Sequence, residues 1–505
     1  MGRVETRKHF NWRMAMSCLL IMVSTMNYGF DNSGFSTTQA MNAFQRQFGE
    51  INPKTGKYYL PPSWLSLFNS LPFIGFVVGM QVGSFISQRF GRRWCMFSMS
   101  AYALISATVC VTSQNKHQIM AGRILNYVYV GMELSVVPIF QSEIVPAQIR
   151  GMAVGSYQFS LMLGGLLVNV VCRGTSTLNT SAAWRIPIGL FYVIPTIIMC
   201  TIWFIPESPR WLLTQDRTDE AYASFKTLRS GTMPDAEIDA EFETLQDALR
   251  LEPEQGRWVE IFQGVNLKRT GISVTINILQ QATGQAFVST YGAVYVRSIG
   301  TLNAFNFTLI LAVCNLTMVS IGLFLNDRVG RRPLLFIGGM LQFAAILSMG
   351  SLGTQKETLQ TKTGIVALLV IFAGCYVFSW APMAYVISSE VPALRLRDAT
   401  QRTAGVANIV TSFLVTFSIP YLLYEPYAGL GSKVGFIFAG IITLALAFTF
   451  FCVPECKGKS LEQIDRMFQE KVPIRQFGNY AIDTAAFLDP EKAVETVLVE
   501  HKELK

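Results

Sequence analysis

Twelve apolar runs follow one another along the chain, and each is close to the length that a helix needs to cross a bilayer, about 20 residues. Only 15% of the 505 residues are charged, against about 25% in an ordinary soluble domain. The pattern predicts an all-α membrane protein with twelve transmembrane helices. The predicted spans are 13–31, 64–86, 93–112, 118–141, 151–172, 185–205, 270–293, 304–325, 333–353, 363–387, 401–423 and 434–453.

Polar sequence divides the spans into two groups of six. The stretch between spans six and seven is charged and helix-prone, and the sequence after Val453 is also polar. We therefore predict a helical linker and a tail outside the bilayer. The predicted organisation is an N-terminal segment (1–12), a first six-helix bundle (13–205), the linker (206–269), a second six-helix bundle (270–453) and a C-terminal tail (454–505).

Arginines are concentrated in loops that all fall on one side of the predicted bundle. Because basic loops are retained in the cytoplasm, we expect these loops and both termini to be cytoplasmic, in the plasma membrane. The net charge of +8 has the same explanation, so the predicted surroundings are a lipid bilayer and no nucleic acid. Two sequons, at Asn179 and Asn306, lie in or beside outward loops and predict glycosylation.

The residues that usually carry catalysis or bind metals are not arranged for either. The nine cysteines match neither a zinc site nor a disulfide framework. The three histidines lie outside the spans, and the sequence shows no nucleophile–base set and no phosphate-binding glycine loop. We therefore predict no metal, no cofactor and no enzymatic activity.

Three motifs occur twice, about 240 to 248 residues apart. RFGRR at 89–93 returns as RVGRR at 328–332. SEIVPAQIR at 142–150 returns as SEVPALR at 389–395, and PESPRW at 206–211 returns as PECKGK at 454–459. Three motifs copied at one offset indicate a duplicated six-span unit, which is typical of transporters that bind their substrate between two halves.

These motifs, with QQATG at 280–284, DRVGRRP at 327–333 and PECKGKSLEQID at 454–465, resemble the sugar porter family of the major facilitator superfamily, in its fungal branch. The resemblance covers nearly the whole chain, and the motifs occur in the family's order and spacing. It implies the major facilitator fold, with two six-helix bundles and a cytoplasmic helical segment between them. It also implies transport of a small-molecule sugar by alternating access.

The resemblance implies a conformational charge network at the cytoplasmic ends of the helices. In the family, such a network holds the outward-facing state shut on the cytoplasmic side. The alternative is that the arginines only set topology. One departure is Gln88, which stands where the family usually has an aspartate. The network residues are Arg89, Arg92, Arg93, Glu143, Arg150, Glu207, Arg210, Asp327, Arg328, Arg331, Arg332, Glu390, Arg395 and Glu455.

Span seven carries the clearest signal for a ligand. Gln280, Gly284, Phe287 and Tyr291 are spaced so that they would share one face of a continuous helix. Buried amides need partners, and sugar hydroxyls both donate and accept hydrogen bonds, although a bond between helices would also serve. With the resemblance, the implied substrate-binding residues are Gln158, Gln280, Gln281, Thr290, Tyr291, Asn315, Trp380, Tyr385 and Asn408.

Several positions depart from the family's binding pattern. Ala286 stands where an asparagine is typical, Gly165 replaces a glutamine, Thr290 replaces a tyrosine, and Tyr385 occupies a position often filled by tryptophan. These changes predict a roomier and less polar pocket. The ligand classes left open are a hexose, a small oligosaccharide and a sugar-like polyol.

Two ionisable side chains are expected at similar depth in spans one and four. Asp31 follows an apolar run that leads outward, and Arg123 lies in the first turns of a run that leads inward. Each would offset the burial cost of the other. The pair resembles the Asp–Arg pair of proton-coupled sugar porters and implies proton coupling, whereas the alternative is a static structural pair. Glu133, also in span four, could titrate, bind a hydroxyl or form a hydrogen bond with a neighbouring helix, and the last two are favoured.

The sequence thus favours a proton:sugar symporter that imports its substrate. A facilitative uniporter and an exporter of a polyol or secondary metabolite remain open. A non-transporting sugar sensor is less favoured, because only about 50 residues follow the last span.

Overall fold

Helices cover all twelve predicted spans in a computed structural model of the protein. The structure describes residues 11–478 except 54–55, 147–149, 232–233, 251–255, 458 and 460. Within this range the side chains of 150–155, 248, 250, 323–324, 326–328, 394 and 461–462 are outside the description.

The first half contains spans one to six. Their helices are Trp12–Thr38 (span one), Pro62–Ser70 and Pro72–Phe90 (span two), Arg92–Val111 (span three), Lys116–Ile144 (span four), Arg150–Thr175 (span five), and Ala182–Gly189 with Val193–Thr201 (span six). Short 3-10 turns at Leu190–Tyr192 and Ile202–Phe204 continue span six. Between spans one and two lie a short helix and a two-stranded ribbon, at Asn42–Phe48, Glu50–Ile51 and Tyr58–Tyr59.

The second half contains spans seven to twelve. Its helices are Gly264–Ala282, Gln285–Ser289 and Gly292–Ile299 (span seven), Ala304–Val329 (span eight), Arg331–Leu352 (span nine), Leu359–Phe378 and Trp380–Glu390 (span ten), Arg397–Leu423 (span eleven) and Val434–Cys452 (span twelve). Turns of 3-10 helix precede spans eleven and twelve, at Leu394–Leu396 and Gly431–Lys433.

Shorter polar helices fill the linker and the tail. The linker contains Pro209–Thr214, Thr218–Arg229, Asp235–Arg250 and the 3-10 segment Trp258–Phe262, and the tail contains Leu461–Gln469 and Ile474–Gln476. Of the part of the chain that the structure describes, nine helical stretches are long and apolar enough to cross a membrane, and they correspond to spans two, three, four, six and eight to twelve. Spans one, five and seven each carry predicted polar site residues, as do spans four, eight, ten and eleven.

The bundle has two distinguishable ends. We call the end with the turns at Gly91 and Gly330 the arginine end, and the other the opposite end. One apolar core joins the first half to the parts of the second half near the opposite end. A separate core, with Trp380 and Phe468 among its members, fills the second half near the arginine end. The two halves therefore share their core toward the opposite end.

Hydrogen bonds also join the halves at the opposite end. Ser66 donates to the carbonyl oxygen of Phe417 at 2.6 Å. Arg173 Nε donates to Asn306 Oδ1 at 2.6 Å, and Arg297 donates to the carbonyl oxygen of Ala40 and to the side chain of Asn42. These contacts close the opposite end.

Two predictions about helix continuity are wrong. Span seven is not one continuous helix, because Gly284 has φ +93° and the chain continues in two short helices. Gln280 and Tyr291 consequently do not share the face of a single straight helix. Span one, in contrast, runs on to Thr38, so Asp31 lies inside the helix and not at its far end. A broken helix at a membrane midplane exposes polar backbone to a binding cavity.

Glycines let spans two and four approach each other closely. Gly75 and Gly79 lie one turn apart on span two, and a Cβ added at either would collide with the carbonyl oxygen of Ile124 or Val128. Small residues at such spacing allow two membrane helices to pack backbone against backbone. Span four, which carries both Arg123 and Glu133, is thereby fixed against its neighbour.

We expect Gly79→Ala to lower the stability of the protein, because the methyl group has no space against the Val128 carbonyl. Overpacking of this kind costs roughly 1–3 kcal/mol. Thermal unfolding of the purified protein in detergent measures the effect. The matched control is Gly189→Ala, where an added Cβ meets nothing within 4 Å. Equal melting temperatures for the two variants would contradict the close approach.

Candidate substrate and proton site

Four amide side chains of spans seven and eleven form one hydrogen-bonded network. Asn408 Nδ2 donates to Gln280 Oε1 at 2.8 Å and to the side chain and backbone oxygens of Asn277 at 3.3 Å. Gln281 Nε2 donates to Asn408 Oδ1 at 3.1 Å. Gln280 Nε2 donates to the carbonyl oxygen of Ala381, in span ten, at 2.9 Å. Three residues predicted to bind substrate, Gln280 and Gln281 of span seven and Asn408 of span eleven, are thus in direct contact.

The network has a buried side and an accessible side. Gln280 is buried, whereas Gln281 and Asn408 are partly exposed. Asn277, which the sequence analysis missed, lies three residues before Gln280 and so nearly on the same face; that spacing was the available signal. Because amides both donate and accept, the exposed members are able to exchange a bond to each other for a bond to a hydroxyl.

Tyr291 and Thr290 lie toward the opposite end of span seven. Tyr291 is fully buried, and its hydroxyl donates to the carbonyl oxygen of Thr416 in span eleven at 2.7 Å. The same hydroxyl lies near the Asn69 side chain of span two. Thr290 is partly exposed in the break between the two short helices. Tyr291 therefore contributes to closing the opposite end above the amide network.

Tyr385 and Trp380 of span ten have different surroundings. Tyr385 is 56% exposed, yet it lies close enough to Tyr28 and Tyr157 of the first half to interact with them electrostatically. It therefore faces a solvent-accessible cleft between the halves. Trp380 is fully buried in the core near the arginine end. Its role in binding stays a prediction, since its ring does not reach the cleft in this conformation.

Gln158 and Asn315 are partly exposed on spans five and eight. Asn315 Oδ1 is buried without a hydrogen-bond partner among the described residues. Gln158 follows Tyr157 directly, so it lies beside the residues that face Tyr385. Both positions are compatible with the predicted contacts, which remain predictions.

Asp31 and Arg123 form the predicted ion pair. Arg123 Nη1 lies 2.5 Å from Asp31 Oδ1, and both side chains are almost fully buried. The second carboxylate oxygen, Oδ2, has no partner among the described residues. The Arg123 guanidinium lies over the rings of Phe35 at 4.0 Å and Tyr127 at 4.8 Å, so aromatic faces share its charge with the carboxylate.

At the arginine end of the first half, one carboxylate holds the start of span three. Gly91 has φ +98°, a conformation that favours glycine. Glu207 accepts from the backbone N–H groups of Arg92 at 3.0 Å and of Arg93 at 3.1 Å. The side chain of Arg92 donates two bonds of 2.9 Å to Glu143 at the end of span four. A helix N-terminus, a carboxylate and a bidentate arginine thus form one unit.

The second half repeats this geometry with the copied motif. Gly330 has φ +106°, and Glu455 accepts from the backbone N–H groups of Arg331 at 3.1 Å and Arg332 at 3.0 Å. Arg331 donates to the two oxygens of Glu390 at 3.2 and 2.8 Å. The sequence repeat is therefore a structural repeat. Both sets of bonds connect helices within one half.

Burial raises the pKa of the Glu207 carboxyl, and the backbone N–H groups of Ser208, Arg93 and Arg92 oppose that shift. These N–H groups stabilise the charged form of the carboxylate at a helix N-terminus. The carboxylate is therefore held by backbone donors that a change of arginine would not remove.

The other predicted network and glycosylation residues differ in their surroundings. Arg89 and Arg210 have exposed side chains. Arg395 pairs at 2.8 Å with Glu260 of the linker, a partner that the sequence analysis missed. Asn179 is exposed at the opposite end, and Asn306 accepts from Arg173 there. The side chains of Arg150, Asp327 and Arg328 lie outside the described residues.

Comparisons with known proteins agree with this architecture. The family described as "Sugar (and other) transporter" matches residues 17–468. The hexose transporter HXT9 of Saccharomyces cerevisiae is 30% identical over 495 residues, which are 95% of this chain and 85% of that protein.

Solved structures of the xylose transporter XylE are similar in fold. The inward-open conformation of XylE from E. coli matches with a TM-score of 0.74 and 21% identity, over 90% of this chain and 99% of that one. The proton:xylose symporter XylE bound to 6-bromo-6-deoxy-D-glucose matches with a TM-score of 0.71 and 22% identity, over the same shares. The predicted major facilitator fold of twelve helices in two bundles is confirmed, and the chain belongs to the sugar transporter family of that superfamily.

Proposed function

We propose that the protein imports a sugar across the plasma membrane together with a proton, by alternating access. The observation that carries the proposal is the buried Asp31–Arg123 pair, in which the second carboxylate oxygen makes no hydrogen bond among the described residues and lies near the side chain of Asn126. The arginine end and both termini would be cytoplasmic, since basic loops stay on that side. Two similar proteins, a hexose transporter and a proton:xylose symporter, support the substrate class and the coupling.

With this orientation, the conformation described here is open toward the cytoplasm. The halves share core and hydrogen bonds at the opposite end, and Tyr385 is exposed in the cleft. In the outward-open state the bonds of Arg297, Arg173 and Ser66 would have to part. The ion pairs of the arginine end lie within each half, so they would keep each half rigid while the halves rotate.

Protonation of Asp31 is the proposed link between the proton and this rotation. A proton on the second oxygen neutralises the carboxylate and weakens its hold on Arg123. The guanidinium keeps its contacts with Phe35 and Tyr127, so it does not lose all stabilisation when the ion pair breaks. Span one, which carries Asp31, is then able to move relative to span four.

The amide network is the proposed sugar site. Gln281 and Asn408 are the partly exposed members, and a sugar hydroxyl that replaces their mutual bond would be held by both. The altered positions do not all enlarge this site, because a side chain at Gly165 would collide with Ser33 Oγ of span one. Thr290 and Ala286, beside the break in span seven, remain the changes that leave room for a hexose or a larger sugar.

A facilitative uniporter is the second candidate function. The two aromatic rings that sandwich Arg123 favour it, since they would also suit a static pair that never releases its charge. The pH dependence of uptake separates the two candidates.

For Asp31→Asn we expect uptake that no longer responds to acid or to an uncoupler, because the neutral amide cannot take up a proton. Uptake of labelled glucose, galactose, xylose, maltose, lactose and a polyol would be measured in transporter-deficient yeast at acid and neutral pH. Breaking a buried pair costs about 3–5 kcal/mol, so a melting curve and exchange of preloaded sugar must show that the variant is folded.

The matched control is Glu50→Gln, which removes a carboxylate from the exposed ion pair with Lys116 and should leave uptake unchanged. Wild-type uptake that ignores pH and uncoupler would replace the symport proposal with facilitated diffusion. Uptake of none of the six compounds would refute sugar import.

Gln281→Ala and Asn408→Ala should each raise the KM for the transported sugar. Loss of one partner of a buried hydrogen bond costs about 1–3 kcal/mol, and each 1.4 kcal/mol is about tenfold in affinity. Initial uptake rates over a range of sugar concentrations give the KM. Gln114→Ala, an exposed glutamine at the opposite end, is the control. An unchanged KM in both variants would show that the network is only structural.

Arg92→Lys and Arg331→Lys should slow the maximal rate of transport with little change in KM. Lysine cannot make the two parallel bonds to Glu143 or Glu390, so each half would lose rigidity at the arginine end. Arg89→Lys is the control within the same motif, because that side chain is exposed. Equal maximal rates for all three variants would indicate that these arginines only determine how the protein is oriented in the membrane.

A further inference from the structure

A second group of buried polar side chains surrounds Glu133 in the first half. Tyr129 places its hydroxyl near the side chains of Ser24, Asn27 and Glu133. Tyr157 of span five lies close enough to interact electrostatically with Glu133. We call this group the Glu133 cluster. It is built from spans one, four and five by Ser24, Asn27, Tyr129, Glu133 and Tyr157.

The cluster contains polar atoms that no neighbour satisfies. Among the described residues, neither oxygen of Glu133 has a hydrogen-bond partner, and the same holds for Asn27 Oδ1, Ser24 Oγ and the Tyr157 hydroxyl. Glu133 is completely buried. Buried polar groups are nearly always hydrogen-bonded. Five buried polar atoms without a hydrogen bond at one place therefore need an explanation.

Among the side chains that the structure describes, which do not include Arg150 of span five, no charged group on the neighbouring helices compensates Glu133. The titratable side chains that interact with it are tyrosines, at positions 28, 129 and 157, and Tyr385 of span ten lies beyond Tyr28 and Tyr157. On span one, Asp31 is already paired with Arg123. Apart from the arginines at the arginine end, the titratable side chains of spans two and three are Cys95, Tyr102 and Cys110.

The carboxyl group of Glu133 is closed off from solvent in this conformation. Both of its oxygens are buried, and the neutral hydroxyl groups of Tyr129 and Tyr157 are its titratable neighbours on spans four and five. A carboxylate that keeps its charge in such surroundings, with no cation beside it among the described residues, is unfavourable. A proton removes that charge and needs no space.

The depth of Glu133 separates it from the Asp31–Arg123 pair. Glu133 follows Arg123 by ten residues on span four, which corresponds to about 15 Å along a helix. Asn27 lies one turn before Asp31 on span one. The two carboxyl groups therefore lie at different levels of the same half, with Glu133 nearer the arginine end and next to the tyrosines that line the cleft.

We propose that Glu133 is a second proton-binding site, which holds a proton while its oxygens are sealed, as they are in this conformation, and releases it to water when the halves rearrange and expose them. The O–H bond of the carboxylic acid breaks on release, and the proton passes to a water molecule in the cleft. Deprotonated Glu133 cannot be sealed again, so a return to this conformation requires a proton. The occupancy of the site does not depend on the function proposed above, whereas its effect on transport does.

Infrared spectroscopy of the purified full-length protein tests the occupancy. We expect the carbonyl stretch of a buried carboxylic acid in the wild type at neutral pH, its loss in Glu133→Gln and its retention in Asp31→Asn. If Glu133→Gln does not fold, Glu133→Met supplies the same comparison. A wild type without the band, or a band unchanged in the Glu133 variants, would overturn the proposal.

Exchange of labelled sugar across vesicles at equal pH on both sides tests the release. The wild-type rate should fall as the pH is raised, whereas Glu133→Gln, which imitates the neutral acid, should keep its rate, and Glu133→Asp should restore the fall. Parallel profiles for wild type and Glu133→Gln would overturn the release step. If the protein carries no sugar, exchange is absent in every variant while the infrared result still stands, so the two proposals fail separately.

Discussion

The carboxylates of Glu207 and Glu455 fix the turns from which span three and span nine begin. Each accepts from two backbone N–H groups behind a glycine in a left-handed conformation. Arginine side chains from the same turns then reach Glu143 and Glu390 with two bonds each. Because these interactions connect helices of one half, they hold the helix ends of each bundle together at the arginine end.

The contacts that join the halves are suited to repeated breaking. Those at the opposite end are single polar bonds, such as Ser66 to the Phe417 carbonyl and Arg173 to Asn306. A bond of this kind contributes only about 0.5–1.5 kcal/mol, because water replaces the lost partner. In contrast, spans two and four pack backbone against backbone within the first half. The polar bonds between the halves are therefore weaker than the backbone packing inside them, although a shared apolar core also joins the halves at the opposite end.

The sequence predicted the number of helices and much of the site because these depend on composition and on copied motifs. Length of apolar runs is enough to locate the spans, and the positions of Asp31 and Arg123 at equal depth follow from the opposite directions of two helices. The sequence predicted that Arg92 and Glu143 belong to one charge network, but not that they are joined by two parallel hydrogen bonds. The equivalent interaction in the second half follows from the repeated sequence motif.

The failures of the sequence analysis have physical causes. Periodicity assumes a regular helix, so it missed the break at Gly284. It also treated Asp31 as a terminal residue, because hydropathy falls where the polar part of span one begins although the helix continues to Thr38. The partner of Arg395 was missed because Glu260 lies in the linker, and no local pattern connects residues so far apart.

The two chemistries of the site are divided between the halves. The ionisable groups, Asp31, Arg123 and Glu133, all lie in the first half, whereas the amide network of Gln280, Gln281 and Asn408 lies in the second. None of these six side chains belongs to both groups. If the amide network binds the sugar as proposed, the surface where the halves face each other connects it to the ionisable groups.

Tyr385 lies on that surface. It belongs to span ten, where the backbone carbonyl oxygen of Ala381 accepts a hydrogen bond from the Gln280 amide. It also lies near Tyr28 and Tyr157, which in turn lie near Glu133. A change of charge at Glu133 would alter the packing of these tyrosines, and a movement of span ten would alter the support of the amide network. The tyrosines at this surface thus offer a route between the two groups that needs no continuous chain of hydrogen bonds.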